Sequence, residues 1–217
     1  MSIAQHAADA SQARAAGSYE APLAGLLLFI AAAQFMLVMM LAGSIAPGYS
    51  QSQGAISDLG AIGETSTLFN TSLLAVGLLT AAAGTLLYRH HRRVWLLGLF
   101  LLAAAGAFGA GLVPLDRNAD IHGLSALVAF VAFSLIPAAC VVLLNGWARP
   151  LSILATAASV AYVVIMIIGD GGNPGVFGAI GHGGAERMIV YPVMLWLMAF
   201  GGYLMAGGGP RQTIAGR

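Results

Sequence analysis

Residues 22–46, PLAGLLLFIAAAQFMLVMMLAGSIA, run without one charged side chain for longer than the stretch that crosses a bilayer; a helix of roughly 20 residues spans the ~30 Å hydrocarbon layer. In lipid such a stretch can satisfy its backbone N–H and C=O groups only by coiling into a helix. Five further apolar runs follow at about 66–88, 95–113, 123–144, 150–169 and 187–206. The fold expected is therefore all-α, a polytopic membrane bundle of six transmembrane helices. Composition points the same way: 59% of residues are hydrophobic and 8% charged, too little polar surface to coat a water-soluble globule. A net charge of +1 removes any basic footprint, so nucleic acid is not an expected partner and the lipid bilayer is. Cys140 is the single cysteine and sits in an apolar run, which leaves no intramolecular disulfide and no CxxC site.

The charges assign sides. Arg14, Arg89, Arg92, Arg93, Arg149, Arg211 and Arg217 fall in alternate connecting segments, with His90 and His91 in the same turn as Arg89. By the positive-inside rule these segments are cytoplasmic. The opposite segments carry Asp58, Glu64, Asp116, Asp120, Asp170 and Glu186, with Arg117 and Arg187. This gives a multi-pass protein of the bacterial inner (cytoplasmic) membrane with both termini inside. Residues 1–21 are expected to be a disordered cytoplasmic tail, 22–206 the transmembrane domain, and 207–217 a cytoplasmic C-terminal tail.

The outer segments are richer than simple connectors. Residues 47–64, PGYSQSQGAISDLGAIGE, place Ile56, Leu59 and Ile62 at helical spacing among polar residues, which suggests a short amphipathic or re-entrant helix lying over the bundle as a lid. Residues 169–186, GDGGNPGVFGAIGHGGAE, are so rich in glycine that no regular structure is expected there, while Val176, Phe177 and Ile180 are apolar enough to enter the interface. Between spans three and four, Asp120 is placed to cap the fourth helix, with His122 in its first turn. Within the third span Ala103, Ala107 and Gly111 form one smooth stripe for close helix packing.

Tyr49, the run Ile56-Ser57-Asp58-Leu59-Gly60, Asp116, the run His122-Gly123-Leu124-Ser125-Ala126, and Glu186-Arg187 opening the last span together resemble the membrane-protein family of domain of unknown function 998. The resemblance covers about residues 22–206. It implies a six-span bundle and carries no settled activity.

The candidate site is a polar cluster of Ser57, Asp58, Asp116, His122, His182, Glu186, Arg187 and Tyr191 on the extracytoplasmic face. Each has a plain structural reading as well. Asp58 is a turn or cap residue, His122 a helix-start residue facing water, and Glu186-Arg187 part of a structural ion-pair system in which Arg187 clamps Asp58 or Asp116. Tyr191 lies one helical turn below Arg187. In the functional reading these side chains converge beneath the lid to bind or move a lipid or small solute. Asp58, His122 and His182 would also serve as zinc ligands with an open fourth position, which makes a metal-dependent intramembrane lipid hydrolase the first alternative. That set is loosely similar to the ceramidase and adiponectin-receptor superfamily, which differs in using three histidines and seven spans. An accessory or assembly subunit with a membrane-protein partner is the second alternative. Gln34, Asn70 and Ser159 are the only strongly polar side chains deep in the spans, a thin path for ion pumping.

Cysteine placed at Gln53, Asn118 or Asn173 is expected to react with a membrane-impermeant thiol reagent in intact cells, and cysteine at His91 or Gln212 is not. The reverse labelling pattern would overturn the assignment of sides.

Overall fold

The structure, a computed structural model, describes residues 3–208, with side chains from residue 19 onward. Six α-helices follow one another: α1 (Ile3–Ile45), α2 (Gly63–His91), α3 (Val94–Leu112), α4 (Ala119–Ala139), α5 (Ala148–Asp170) and α6 (Gly181–Met205). Each contains or continues an apolar segment long enough to cross a membrane, from Tyr19–Ile45 in α1 to Pro174–Met205 around α6. All six expected spans are present. Consecutive helices pack side by side and α6 returns against α1, closing a ring. Leu28, Met39, Phe69, Phe100, Ile136 and Leu197 are buried inside it. Leu37, Leu78, Leu154 and Leu195 are exposed on its outer face. A surface of that kind is compatible with lipid as solvent and not with water.

Close helix contact depends on small residues. The apolar tails of lipid are as good a solvent for Leu as another helix is, so association relies on packing and interhelical hydrogen bonds. Where α1 crosses α6, a Cβ on Gly25 would lie 2.5 Å from the Gly201 carbonyl oxygen, and one on Gly201 would lie 2.5 Å from that of Gly25. The Ala103, Ala107 and Gly111 stripe faces inward, and a Cβ on Gly111 would fall 2.9 Å from the Asn70 carbonyl oxygen of α2. Polar side chains join neighbouring helices: Ser72 Oγ donates to Gln34 Oε1 at 2.7 Å, Ser159 Oγ to the Ile189 carbonyl at 2.7 Å, and Trp196 Nε1 to Ser152 Oγ at 2.7 Å. At one end of the ring Arg89 of α2 and Glu20 of α1 form an ion pair at 3.0 Å.

Helix α1 is continuous from Ile3 to Ile45, and the C-terminal tail lies outside the described residues from 209 on. The connections differ from the sequence reading in three places. First, the lid segment is a single 3₁₀ turn, Ile56–Gly60, whose Ile56 and Leu59 are buried in the bundle end. Second, the glycine-rich segment is ordered backbone. Pro174–Ile180 is a 3₁₀ helix with Phe177 buried, and α6 starts at Gly181 and not near residue 187. Third, Asn118 caps α4, its Oδ1 accepting from Ile121 N–H at 3.0 Å, so the capping role expected of Asp120 falls two residues earlier.

Gly25→Val and Gly201→Val should each lower the melting temperature of detergent-solubilised protein, by about 1–3 kcal/mol of stability. Gly202→Val is the control, because a Cβ there meets nothing within 4 Å. Equal melting curves for Gly201→Val and Gly202→Val would show that the α1–α6 crossing tolerates separation.

Candidate functional site

The segment between α1 and α2 is the longest non-helical backbone bearing on the bundle core, and α6 holds it. Adjacent residues on a helix point about 100° apart and do not face each other. Glu186 and Arg187 therefore do not pair; they grip that segment at separate points. The Glu186 carboxylate accepts a short hydrogen bond from the Ile56 N–H at the start of the 3₁₀ turn. Arg187 donates through Nη1 to the carbonyls of Gln51 at 2.8 Å and Gly54 at 3.3 Å, and to Gly183 of its own helix at 2.8 Å. Its Nη2 donates to the Tyr49 hydroxyl, and the guanidinium lies 5.6 Å from the centre of the Tyr49 ring. Both α6 residues are buried, at 5% and 7% exposure.

Tyr49 completes the clasp. Burial raises its phenol above the ordinary value, against the lowering effect of Arg187, so the hydroxyl keeps its proton and donates to the Ala55 carbonyl at 2.9 Å. The first turn of α6 adds main-chain bonds, with Gly183 N–H donating to the Ser52 carbonyl at 2.9 Å. This contact explains the glycines. A Cβ on Gly183 would collide with the Gly54 carbonyl oxygen and come 2.8 Å from that of Gln51, and Gly181 has φ +68°. The Ser52 carbonyl thus serves the unpaired N–H groups that every helix start presents.

The 3₁₀ turn borders one end of a cavity of about 70 Å³. Its wall comes from α1, α2, α3, α4 and α6, and includes Phe35, Phe69, Phe130, Phe133, Val193 and Met194. Ser57, His122 and Glu186 are its polar groups, and all three lie at the end bounded by the 3₁₀ turn. Between Glu186 and Met194 the lining follows α6 for about 12 Å. His122 is buried, with Nδ1 3.1 Å from the Ala110 carbonyl oxygen and 3.0 Å from that of Val113, the last turn of α3. Two acceptors around Nδ1 require a proton there, so in the neutral imidazole Nε2 carries the lone pair.

The structure thus brings Ser57, His122 and Glu186 together and disperses the other candidates. Asp58 caps the 3₁₀ turn, its Oδ2 accepting from Ala55 N–H at 2.9 Å. It forms no ion pair with Arg187, so the expected clamp is replaced by the carbonyls and Tyr49, which supply better-placed acceptors for a planar fork of donors. Asp116 is exposed on the α3–α4 loop. His182 has Nε2 3.1 Å from Asp170 Oδ1 and packs edge-on against Phe177, away from the cavity lining. Tyr191 is half-buried against the apolar core. Among the described residues there is no group of three or more His, Cys, Asp or Glu side chains able to hold a metal ion, so Asp58, His122 and His182 do not assemble as a zinc site. Of the deep polar side chains, Gln34 and Ser159 are used in interhelical hydrogen bonds. Asn70 donates to the Gly60 carbonyl at 2.9 Å and steadies the end of the 3₁₀ turn.

A family model described as Protein of unknown function (DUF998) matches residues 29–203. No curated protein and no solved structure matches the chain.

Arg187→Ala should cost about 2–4 kcal/mol in unfolding experiments, because it strands buried carbonyls that now bond to a charged group. Tyr49→Phe combined with Arg187→Ala should be non-additive by about 0.5–3 kcal/mol. Asp58→Ala should cost about 1 kcal/mol as a lost cap and add independently to Arg187→Ala. Coupling of Asp58 in place of Tyr49 would overturn the clasp as drawn.

Proposed function

The chain belongs to the DUF998 family, proteins of unknown function, and we propose that it is an amphiphile-binding membrane protein. It accepts the apolar tail of a lipid or lipid-like molecule between its helices and the polar head at Ser57, His122 and Glu186. One observation carries the reading: a continuous apolar bore, walled by five helices, ends at a cluster of three polar side chains under an anchored turn. Unfilled space forfeits dispersion contacts along its walls, and a slender apolar group laid along α6 restores them. The head end belongs on the extracytoplasmic side, by the distribution of arginines.

The deep polar side chains favour binding over ion transport. Gln34, Ser134 and Ser159 are committed to partners on neighbouring helices or on their own, and the unpartnered Asn70 Oδ1 and Thr80 Oγ1 of α2 stand ten residues, about 15 Å, apart. A site with one polar end and one apolar end suits an occupant with the same division.

Mass spectrometry of an organic extract of purified protein tests the reading. Wild-type protein should yield about one tightly held single-chain or slender amphiphile per chain, and Ala126→Trp combined with Val193→Phe, which fill the bore, should reduce it several-fold. Identical lipid profiles for wild type and the filled variant would refute occupancy of the cavity.

A further inference from the structure

Resting on that amphiphile reading, we infer that the head of the occupant is a hydrogen-bond donor, a hydroxyl or an amine, and that heads bearing phosphate or carboxylate are rejected. The inference comes from what the mouth offers. His122 Nδ1 is surrounded by the carbonyl oxygens of Ala110 and Val113. The proton on Nδ1 is fixed by these carbonyls, and in the neutral imidazole Nε2 is an acceptor. One oxygen of Glu186 takes the Ile56 N–H, and the carboxylate makes no second hydrogen bond among the described residues. Ser57 lines the cavity, and its hydroxyl can donate or accept. The mouth therefore presents acceptors with one ambivalent group among them.

The cation nearest in sequence is turned elsewhere. Arg187 spends Nη1 and Nη2 on Gln51, Gly54, Gly183 and Tyr49, and among the described residues no arginine lines the cavity. Where the Glu186 carboxyl is ionised, an anionic head beside it would meet a like charge, and the Nη donors of Arg187 are held by the loop and not offered to that head. A hydroxyl or ammonium head would instead donate to Glu186 and to His122 Nε2. The tail gives little discrimination, since lipid surroundings already solvate an alkyl chain as well as the bore does. Selection among membrane amphiphiles then depends on the head.

The test uses full-length protein in detergent-free lipid nanodiscs and four photoreactive probes that share a diazirine-bearing dodecyl tail. Their heads are an alcohol, a primary amine, a carboxylate and a phosphate. The alcohol and amine probes should label peptides from the cavity wall of α4 and α6, at least about ten-fold more than the two anionic probes, the factor that 1.4 kcal/mol of discrimination produces. In Glu186→Gln the amine should lose its advantage and the carboxylate should gain labelling, while the alcohol, able to donate to the amide oxygen, should be retained. Equal labelling by all four probes in the wild type would overturn the head assignment and leave amphiphile binding intact. Absence of cavity labelling by every probe would overturn both. The wild-type panel decides the matter even where Glu186→Gln fails to fold.

Discussion

Backbone that leaves the helical state at the end of a membrane bundle must find partners for every N–H and C=O it exposes, because hydrocarbon supplies none. Here that demand falls on the segment between α1 and α2, and α6 meets it. Gly183 N–H serves the Ser52 carbonyl, Arg187 serves Gln51 and Gly54, and Glu186 serves the Ile56 N–H. The first two turns of α6 hence hold acceptors and donors of one loop at once. The position of the cavity mouth follows from this anchorage, since the turn that bounds it is fixed at both of its polar ends.

The same anchorage accounts for the sequence around it. A guanidinium brings a planar array of donors to a cluster of carbonyls, and a tyrosine hydroxyl both accepts from it and passes a hydrogen bond to the next carbonyl. Glycines at 181 and 183 allow the two backbones to approach to main-chain hydrogen-bond distance, which any side chain would prevent. Small residues at 25 and 201 do the corresponding work for α1 and α6 lower in the bundle. Close backbone approach, used twice along α6, is the reason that helix touches both the loop and α1.

The spans were legible because length and apolarity are set by bilayer thickness, a constraint the sequence displays directly. The connections were less legible. A glycine-rich run reads as irregular when glycine is weighed only for its conformational freedom; at 183 glycine is present for lack of a Cβ, at 181 for that and for its positive φ, and α6 starts there. The inward stripe of Ala103, Ala107 and Gly111 was readable because its spacing is helical and its meaning is steric. Asp58 and His182 looked like site residues since their side chains suit many chemistries, yet each finds a local partner, Ala55 N–H and Asp170. Local hydrogen bonds of that kind depend on turn geometry that sequence spacing does not display. Tyr49 entered the reading only through the family resemblance, because nothing about a lone loop tyrosine announces that it will meet Arg187.

Glu186 and Arg187 illustrate how adjacency in sequence separates function in space. Two opposite charges side by side invite the reading of an ion pair, but consecutive helical positions diverge by about 100°. Had they neutralised one another, the loop would have lost its anchors and the cavity its charge. Because both Nη nitrogens of Arg187 are held by carbonyls and Tyr49, the carboxylate beside it reaches the cavity without forming an ion pair. The arginine that builds the site is thereby kept out of it, and the chemical character of the mouth is left to a carboxyl group, an imidazole and a serine hydroxyl. Such a set discriminates by who donates the hydrogen bond, and that property arises from the backbone demand of a loop one helical face away.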